Sequence, residues 1–222
     1  MANQDDSDDL GLAAAYAVST PDDSRQLYAR WAASYDDDFV DRNGYVYHLN
    51  VVEAFLADGG GPRGPILDVG CGTGVVGQAI RARGDQVIDG IDISPEMLAR
   101  AAAKRTEDGQ PIYRKLIEAD LTTTLDLPTD HYHGVISTGT FTHGHLGPEP
   151  LAELIRIAAA GARFAIGVNG EHWRALAFDR WFEARVVEGL ITEPTFHQVV
   201  VYEAMEGEHG DDRAMVARFT VR

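Results

Sequence analysis

The sequence is short of lysine, cysteine and long apolar runs, and each shortage excludes a class of protein. Lysine occurs only as Lys104 and Lys115, and 19 basic residues face 35 acidic ones, which gives a formal net charge of -16. Proteins that bind nucleic acid gain affinity by placing Lys and Arg against phosphates, and an anionic membrane surface repels an acidic chain. We therefore expect neither nucleic acid nor membrane as a partner.

The cysteine content and the hydropathy pattern predict a cellular setting. Cys71 is the only cysteine, so no disulfide can form within the chain, and a reducing cytoplasm is the natural environment. No apolar run approaches the ~18 residues that span a membrane. The first residues lack the basic start and apolar core of a secretory signal. These features predict a cytoplasmic protein.

The 222 residues are 45% hydrophobic and 24% charged, which is ordinary for a globular protein and fits one domain with additions. Residues 1–9 are acidic enough to predict a disordered tail. Residues 10–60 predict an N-terminal helical lid, because aromatic and apolar side chains recur there at spacings of three or four. Residues 1–41 hold ten Asp against Arg25 and Arg30, so half of the net charge lies in the tail and lid. Residues 61–222 form the predicted main domain.

Within the main domain, short apolar runs alternate with helical segments. Strands are predicted at 66–69, 86–91, 113–119, 134–137 and 163–168, and helices at 75–83, 95–104, 149–159 and 171–190, with Ser94 as a helix cap. Such alternation indicates a parallel sheet covered on both faces. The last two β-rich segments, 195–205 and 213–221, have no helix between them and must pair as an antiparallel hairpin. The prediction is an α/β fold with a doubly wound, mostly parallel seven-stranded sheet and a C-terminal antiparallel hairpin.

A glycine-rich loop separates the first strand from the first helix of the main domain, with the sequence DVGCGTGVVG at positions 68–77. Glycine allows positive φ and close approach of a ligand to the backbone. Open α/β sheets bind ligands at the carboxyl ends of their strands, where this loop stands. The spacing of Gly72, Gly74 and Gly77 also matches the dinucleotide fingerprint. A nicotinamide cofactor is therefore one alternative.

Three carboxylates favour a different cofactor. Asp68, at the end of the first strand, would repel a pyrophosphate and attract an ammonium group. Asp92 follows the second strand and can accept hydrogen bonds from both hydroxyls of a ribose. Asp120 ends the third strand and can accept a hydrogen bond from the exocyclic amine of adenine. Together they predict a site for an adenosine that carries an amino acid.

Three sequence motifs carry a family resemblance. The loop at 68–74, GIDISPEML at 90–98 and ADL at 119–121 resemble the first three motifs of class I S-adenosylmethionine-dependent methyltransferases, over roughly residues 25–221. LYARWAASYD at 27–36 and TGTFTHGH at 138–145 are similar to small methyltransferases related to the Williams–Beuren-region methyltransferase-like protein. The resemblance implies S-adenosylmethionine as cofactor, S-adenosylhomocysteine as product and a catalytic domain over 61–222.

The resemblance also implies a cofactor site. Gly70, Cys71 and Gly72 would line the methionine part, with Asp68 near its ammonium and Asp92 on the ribose. Other residues would surround adenine, lie below the cofactor or reach it from the lid. The implied cofactor residues are Tyr35, Asp68, Gly70, Cys71, Gly72, Asp92, Ile93, Met97, Asp120, Leu121, Ser137 and Thr138.

A sulfonium methyl is already activated, so the enzyme needs mainly to position a nucleophile and exclude water. His143 and His145 are the candidates for a catalytic general base, and the alternative is a pair of solvated loop histidines. A metal site formed by these two with His131 and His133 is disfavoured, because the fourth strand separates the pairs. We therefore predict no metal.

The acceptor is constrained by the residues that follow the fourth strand. STGT at 137–140 stands where methyltransferases of bases and glutamine carry Asn/Asp-Pro-Pro-Tyr. This difference favours an O, N or S atom of a small molecule as methyl acceptor. Two other functions stay open: a nicotinamide-dependent oxidoreductase, and a catalytically inactive regulatory protein that binds the cofactor. The sequence leaves monomer and dimer equally open.

Overall fold

A computed structural model describes residues 14, 18, 20–41, 44–57, 61–142, 146–203 and 212–222. Its strands are β1 (Ile66–Val69), β2 (Ile88–Asp92), β3 (Lys115–Glu118), β4 (Tyr132–Phe141), β5 (Ala158–Asn169), β6 (Thr195–Val200) and β7 (Arg213–Thr220). They form one sheet in the order β3-β2-β1-β4-β5-β7-β6. The first five strands are parallel, and β7 lies antiparallel between β5 and β6. The predicted seven-stranded sheet with its final antiparallel hairpin is confirmed.

The helices precede, connect and cover these strands. They are α1 (Pro21–Trp31), α2 (Tyr47–Leu56), α3 (Val75–Arg81), α4 (Pro95–Ala103), α5 (Pro150–Ile157), α6 (Gly170–Ala175) and α7 (Phe178–Val187), with a π-helical turn at Asp36–Asp41. The predicted cap of α4 is confirmed, because Ser94 Oγ accepts a hydrogen bond from the Met97 N–H at 3.2 Å. The predicted tail, 1–9, lies outside the described residues.

The sheet separates two apolar cores, because successive residues of a strand point to opposite faces. Ile66 of β1 and Ile136 of β4 pack in the core beneath α2, α3 and α4. Their neighbours Leu67 and Val135 pack in the other core, beneath α5, α6 and α7. All four residues are fully buried or nearly so. Packing on both faces therefore holds the carboxyl ends of these strands in place.

The described part of the predicted N-terminal lid packs in two different places. The aromatic side chains of Trp31 and Phe39 pack edge to face at 5.3 Å, and α1 contacts α4. In contrast, α2 lies directly on β4 and β5, with Val51 and Phe55 fully buried. Among the described residues, the parts that lie over the strand ends are therefore α1 and the π-helical turn.

The predicted helix over 171–190 is wrong, because the chain forms two helices that meet at Leu176 and Ala177. Ala177 adopts a left-handed φ of 49°. Trp173 and Phe178 are five residues apart, which places them about 140° apart around a straight helix. The break brings their rings into one stack at 5.6 Å in the core.

β4 and β5 extend beyond their predicted bounds. β4 continues to Phe141, with a shift of register relative to β5 between Ser137 and Phe141. Such a bulge re-aims the side chains that it contains. β5 begins at Ala158, which pairs with Tyr132, although the alanine-rich segment predicted a helix to residue 159. Burial of Ala158 against the sheet overrides its helix propensity.

No helix in the described part of the chain is long and apolar enough to cross a membrane.

Candidate functional site

A cavity of about 160 Å³ opens at the carboxyl ends of β1, β2, β3 and β4. Its floor is the glycine loop and its roof includes residues of α1. Most of the predicted cofactor residues lie on its wall: Tyr35, Gly70, Gly72, Asp92, Ile93, Met97, Asp120, Leu121 and Thr138. The strand ends thus bring together side chains that are far apart in the sequence, as an open α/β sheet does.

Asp92, at the end of β2, holds the glycine loop through hydrogen bonds to backbone amides. Its Oδ2 accepts a hydrogen bond from the Gly72 N–H at 2.8 Å, and its Oδ1 accepts one from the Ser94 N–H at 2.9 Å. Burial raises the pKa of this carboxyl, and the two amides oppose the shift. Each oxygen retains a second lone pair for a ligand hydroxyl, so one carboxylate can hold both the loop and a ribose.

Asp120 follows β3 and is held by a local turn. Its Oδ1 accepts hydrogen bonds from the Thr122 N–H at 2.8 Å and from Thr122 Oγ1 at 2.7 Å. Within the described residues, no donor is bonded to Asp120 Oδ2. This oxygen can therefore accept a hydrogen bond from a ligand amine. Ile93 and Met97 supply apolar wall nearby.

Asp68, at the third position of β1, lies behind the cavity wall and is fully buried. Its Oδ2 accepts a hydrogen bond from Tyr113 Oη at 2.6 Å. Its Oδ1 accepts none from the described residues. Burial raises the pKa of Asp68 to about 7, and the hydroxyl of Tyr113 acts against that rise. A buried carboxylate oxygen without a partner costs stability, and such groups concentrate at functional sites.

Cys71 and Ser137 also lie behind the wall instead of on it. The Cys71 side chain is buried, and Sγ would lie 2.8 Å from a Cβ at Gly90. Burial raises the pKa of its thiol, and Asp68 and Asp92 raise it further. Ser137 Oγ donates to the Val69 carbonyl at 2.8 Å, which ties β4 to β1. Both side chains therefore support the loop from below.

Gly70 permits a close contact across the cavity floor. It has a φ of 65°, and a Cβ there would lie 1.9 Å from Thr140 Oγ1. Thr140 itself donates to the Val69 carbonyl at 3.0 Å. The β4 bulge thus inserts a hydroxyl against the glycine loop, at a position where a side chain on residue 70 would exclude it.

Several wall residues were not predicted. Thr20, Ser24 and Tyr28 reach the cavity from α1, and their spacing of four places three hydroxyl groups on one helical face. That spacing is the signal by which the sequence could have identified them. Leu146 is held by His172, whose Nε2 donates to its carbonyl at 2.8 Å. The other unpredicted wall residues are Pro21, Ala119, Thr122, Gly139 and Thr140.

The predicted general bases, His143 and His145, lie outside the described residues. They belong to a short segment between Thr142 and Leu146, and Leu146 lines the cavity. Within the described ranges, no three His, Cys, Asp or Glu side chains group as metal ligands.

The described residues fit S-adenosylmethionine on three counts. The unpaired Asp68 Oδ1 lies beneath the glycine loop, where a cationic ammonium would compensate its charge. Asp92 and Asp120 offer free acceptor positions at the ends of neighbouring strands. Both acids lie on the cavity wall, and a lining of carboxyl groups suits a cationic cofactor better than a pyrophosphate.

The fold is that of a doubly wound α/β protein, with a cavity lined by acids at the strand ends. Residues 66–161 match the family model described as a methyltransferase domain. The chain is 30% identical over 189 residues to Methyltransferase-like protein 27 of Homo sapiens, covering 80% of this chain and 74% of that protein. The chain belongs to the class I S-adenosylmethionine-dependent methyltransferase family, as the motifs predicted.

Two further proteins are similar to this chain. The 2-phytyl-1,4-naphtoquinone methyltransferase of Synechocystis sp. is 29% identical over 175 residues, covering 76% of this chain and 72% of that protein. The N-methyltransferase NodS of Bradyrhizobium japonicum, solved with S-adenosylhomocysteine, superposes with a TM-score of 0.61 at 18% identity, covering 89% and 98% of the two chains. The latter likeness shows the fold alone.

Proposed function

We propose that this chain transfers the methyl group of S-adenosylmethionine to an O, N or S atom of a small-molecule acceptor. The observation that carries the proposal is the set of three carboxylates near the carboxyl ends of neighbouring strands: Asp92 and Asp120 line the cavity, and Asp68 lies buried behind its wall. Their order along the sheet supports an assignment to the ammonium, ribose and adenine of that cofactor. The family membership supports methyl transfer as the reaction.

The cofactor supplies, when bound, a methyl group on a positively charged sulfur. The chain then has to bind it, orient it and keep water away. Asp68 would pair with the ammonium, Asp92 with the ribose hydroxyls and Asp120 with the adenine amine. The apolar wall would cover the adenine ring, and Gly70 and Gly72 would admit the methionine part against the backbone.

The acceptor side is proposed to lie between α1 and the β4 bulge. Hydroxyl groups and the apolar side chain of Leu146 line this end of the cavity, and no Lys or Arg is among its described lining residues. These features, and the net charge of -16, support a small acceptor over nucleic acid. The relative named for a naphtoquinone also supports this class. A reducing cytoplasm is the proposed setting, because the single cysteine can form no disulfide within the chain.

Calorimetric titration tests the cofactor. We expect S-adenosylhomocysteine to bind with heat that saturates at one site, and NAD to show no binding under the same conditions. Tight binding of NAD alone would refute the proposal.

A panel of small phenols, amines, thiols and quinols with S-adenosylmethionine then tests methyl transfer, followed by mass spectrometry of the products. Cofactor binding without any turnover would favour the inactive regulatory protein.

His143 and His145 are proposed as alternative general bases. If the acceptor loses a proton during transfer, His143→Ala or His145→Ala should lower kcat by about 100-fold and leave the affinity for S-adenosylhomocysteine unchanged. The measurement is kcat against pH, beside calorimetry of each variant. Unchanged turnover of both variants with the true acceptor would remove the role.

A further inference from the structure

We propose that Tyr113 is a positioning residue for the cofactor: its hydroxyl holds one oxygen of Asp68 and thereby keeps the other oxygen free for the ammonium group. The inference rests on the proposed binding of S-adenosylmethionine. Tyr113 stands just before β3, is buried at 7% exposure and does not line the cavity. Its role is therefore exerted through Asp68 and not by contact with a ligand.

The direction of the Tyr113 hydrogen bond is fixed by a third group. The Gly77 N–H, in the first turn of α3, donates to Tyr113 Oη at 3.2 Å. The phenol has one proton, and a backbone amide already occupies an acceptor position on its oxygen. When Asp68 is ionised, the proton therefore goes to Asp68 Oδ2, 2.6 Å away. A fixed chain of donors from Gly77 through Tyr113 to Asp68 sets the orientation of the carboxylate.

Glycines enclose the Tyr113 ring on three sides. A Cβ at Gly77 would lie 2.4 Å from Oη, one at Gly74 would lie 2.9 Å from Cε2, and one at Gly90 would lie 3.1 Å from Cε1. Gly74 and Gly77 are two of the three glycines that match the dinucleotide pattern. In this chain their missing side chains make room for a tyrosine, which explains the pattern without a pyrophosphate.

The surroundings of Asp68 leave it dependent on this one side-chain donor. The titratable groups that face it are Tyr113, Asp92 and the thiol of Cys71. Asp92 carries like charge and raises the pKa of Asp68, whereas Tyr113 and the Gly77 amide lower it. Without the Tyr113 hydroxyl, both carboxylate oxygens would lack a side-chain donor in a fully buried position. Such a carboxyl holds its proton to higher pH and attracts an ammonium less.

The test compares Tyr113→Phe, which keeps the ring and removes the donor, with Asp68→Asn. S-adenosylhomocysteine is titrated by calorimetry from pH 6 to pH 9. The wild type should bind more weakly below about pH 7, where Asp68 takes up its proton. Tyr113→Phe should bind about tenfold more weakly at pH 8, with the fall in affinity beginning at higher pH. Asp68→Asn should bind S-adenosylhomocysteine weakly at every pH, because the titrating carboxyl is gone.

Tyr132→Phe is the matched control. Tyr132 is also buried, and its Oη donates to another buried carboxylate, Asp89 Oδ2, at 3.1 Å. That pair lies outside the cavity wall. Tyr132→Phe should therefore keep the wild-type affinity and pH profile, even where it lowers thermal stability.

A wild-type measurement covers the case in which Tyr113→Phe fails to fold. The Tyr113 hydroxyl proton should give a protected downfield NMR resonance that persists when S-adenosylhomocysteine binds. Loss of that resonance on binding, or a wild-type affinity and pH profile in Tyr113→Phe, would overturn the positioning role. Failure of the wild type to bind S-adenosylhomocysteine would instead overturn the proposed function, so the two results are distinguishable.

Discussion

At the scale of single residues, the three acids of the site lie at different depths relative to the cavity wall. Asp92 and Asp120 lie on the cavity wall, whereas Asp68 is fully buried behind it with one oxygen unpaired. Wall carboxylates are partly satisfied by backbone amides before any ligand arrives. The buried one has the most to gain from a cationic ligand, because nothing else among the described residues compensates that oxygen.

Asp92→Ala is expected to weaken binding of S-adenosylhomocysteine by about 100-fold. The substitution removes the proposed acceptor of the ribose hydroxyls and also frees the amides of Gly72 and Ser94 that the carboxylate now holds. Calorimetry at pH 8 measures the loss. The control is Asp85→Ala, which removes the same charge from a fully exposed side chain. Equal affinity of Asp92→Ala and wild type would contradict the ribose assignment.

The carboxylates at strand ends could be predicted from the sequence, because strand order alone brings such positions to one edge of a parallel sheet. The placement of Cys71 and Ser137 could not, because each depends on the direction of a side chain at a loop or bulge. Tyr113 was missed for a different reason. Its partner Asp68 is 45 residues away in the sequence, and no local pattern links a tyrosine before one strand to an acid on another.

At the scale of elements, the π-helical turn is joined to the main domain through Asp36. Its Oδ1 accepts a hydrogen bond from Thr73 Oγ1 at 2.5 Å, and its Oδ2 lies 2.7 Å from Lys104 Nζ. Thr73 belongs to the glycine loop, and Lys104 directly follows α4. The neighbouring residue Tyr35 lines the cavity. The Asp36 carboxylate therefore joins the proposed lid to the glycine loop.

Asp36→Ala is expected to raise the dissociation rate of S-adenosylhomocysteine by roughly twofold to fivefold, because a partly exposed ion pair contributes about 1 kcal/mol at most. Stopped-flow displacement measures the rate, and the difference should shrink at high salt. Asp22→Ala is the control on the same segment, because the partners of Asp22 among the described residues are its helix neighbours Arg25 and Gln26. An equal rate for Asp36→Ala and wild type would show that this contact does not retain the cofactor.

The elements themselves differ in how far the sequence predicted them. β1 was predicted with its observed bounds, because a short apolar run bounded by Pro65 and Gly70 is typical of a buried strand. The break between α6 and α7 was not predicted, since neither Leu176 nor Ala177 is a helix breaker. The break follows from tertiary packing of Trp173 and Phe178, which no local propensity encodes. The early start of β5 has the same cause.

At the scale of the whole molecule, Asp68 opposes the stability of the ligand-free protein above neutral pH. Its pKa is about 7 in the folded chain against 3.8 for the ordinary group. The folded state therefore binds a proton that the unfolded state releases between these values, so this contribution to stability is fully present below 3.8 and is lost progressively as the pH rises from 3.8 through 7. His48, whose pKa burial lowers to about 4, acts in the opposite direction as the pH falls from 6.5.

Asp68→Asn should therefore raise the free energy of unfolding at pH 8, by roughly 2 to 4 kcal/mol. At pH 5 the folded carboxyl is protonated but most of the unfolded carboxyl is ionised, so the difference should shrink by roughly 2 to 3 kcal/mol, and it should vanish only below the ordinary pKa of 3.8. Urea unfolding of both proteins at the two pH values measures this, and comparison at each pH cancels the contribution of His48. A stability difference that is the same at pH 5 and pH 8 would contradict the titration of Asp68.

β7 is made after every other strand, yet it occupies an interior place in the sheet between β5 and β6. Until residues 213–220 leave the ribosome, β5 has no partner on that side, and the backbone groups from Arg163 to Asn169 face outward. The pairing of Asn169 with Ala214 also closes a long loop, which slows this step relative to local contacts. The sheet therefore closes only after β7 has emerged. A nascent chain stalled before residue 213 carries an open, apolar edge of the kind that chaperones bind.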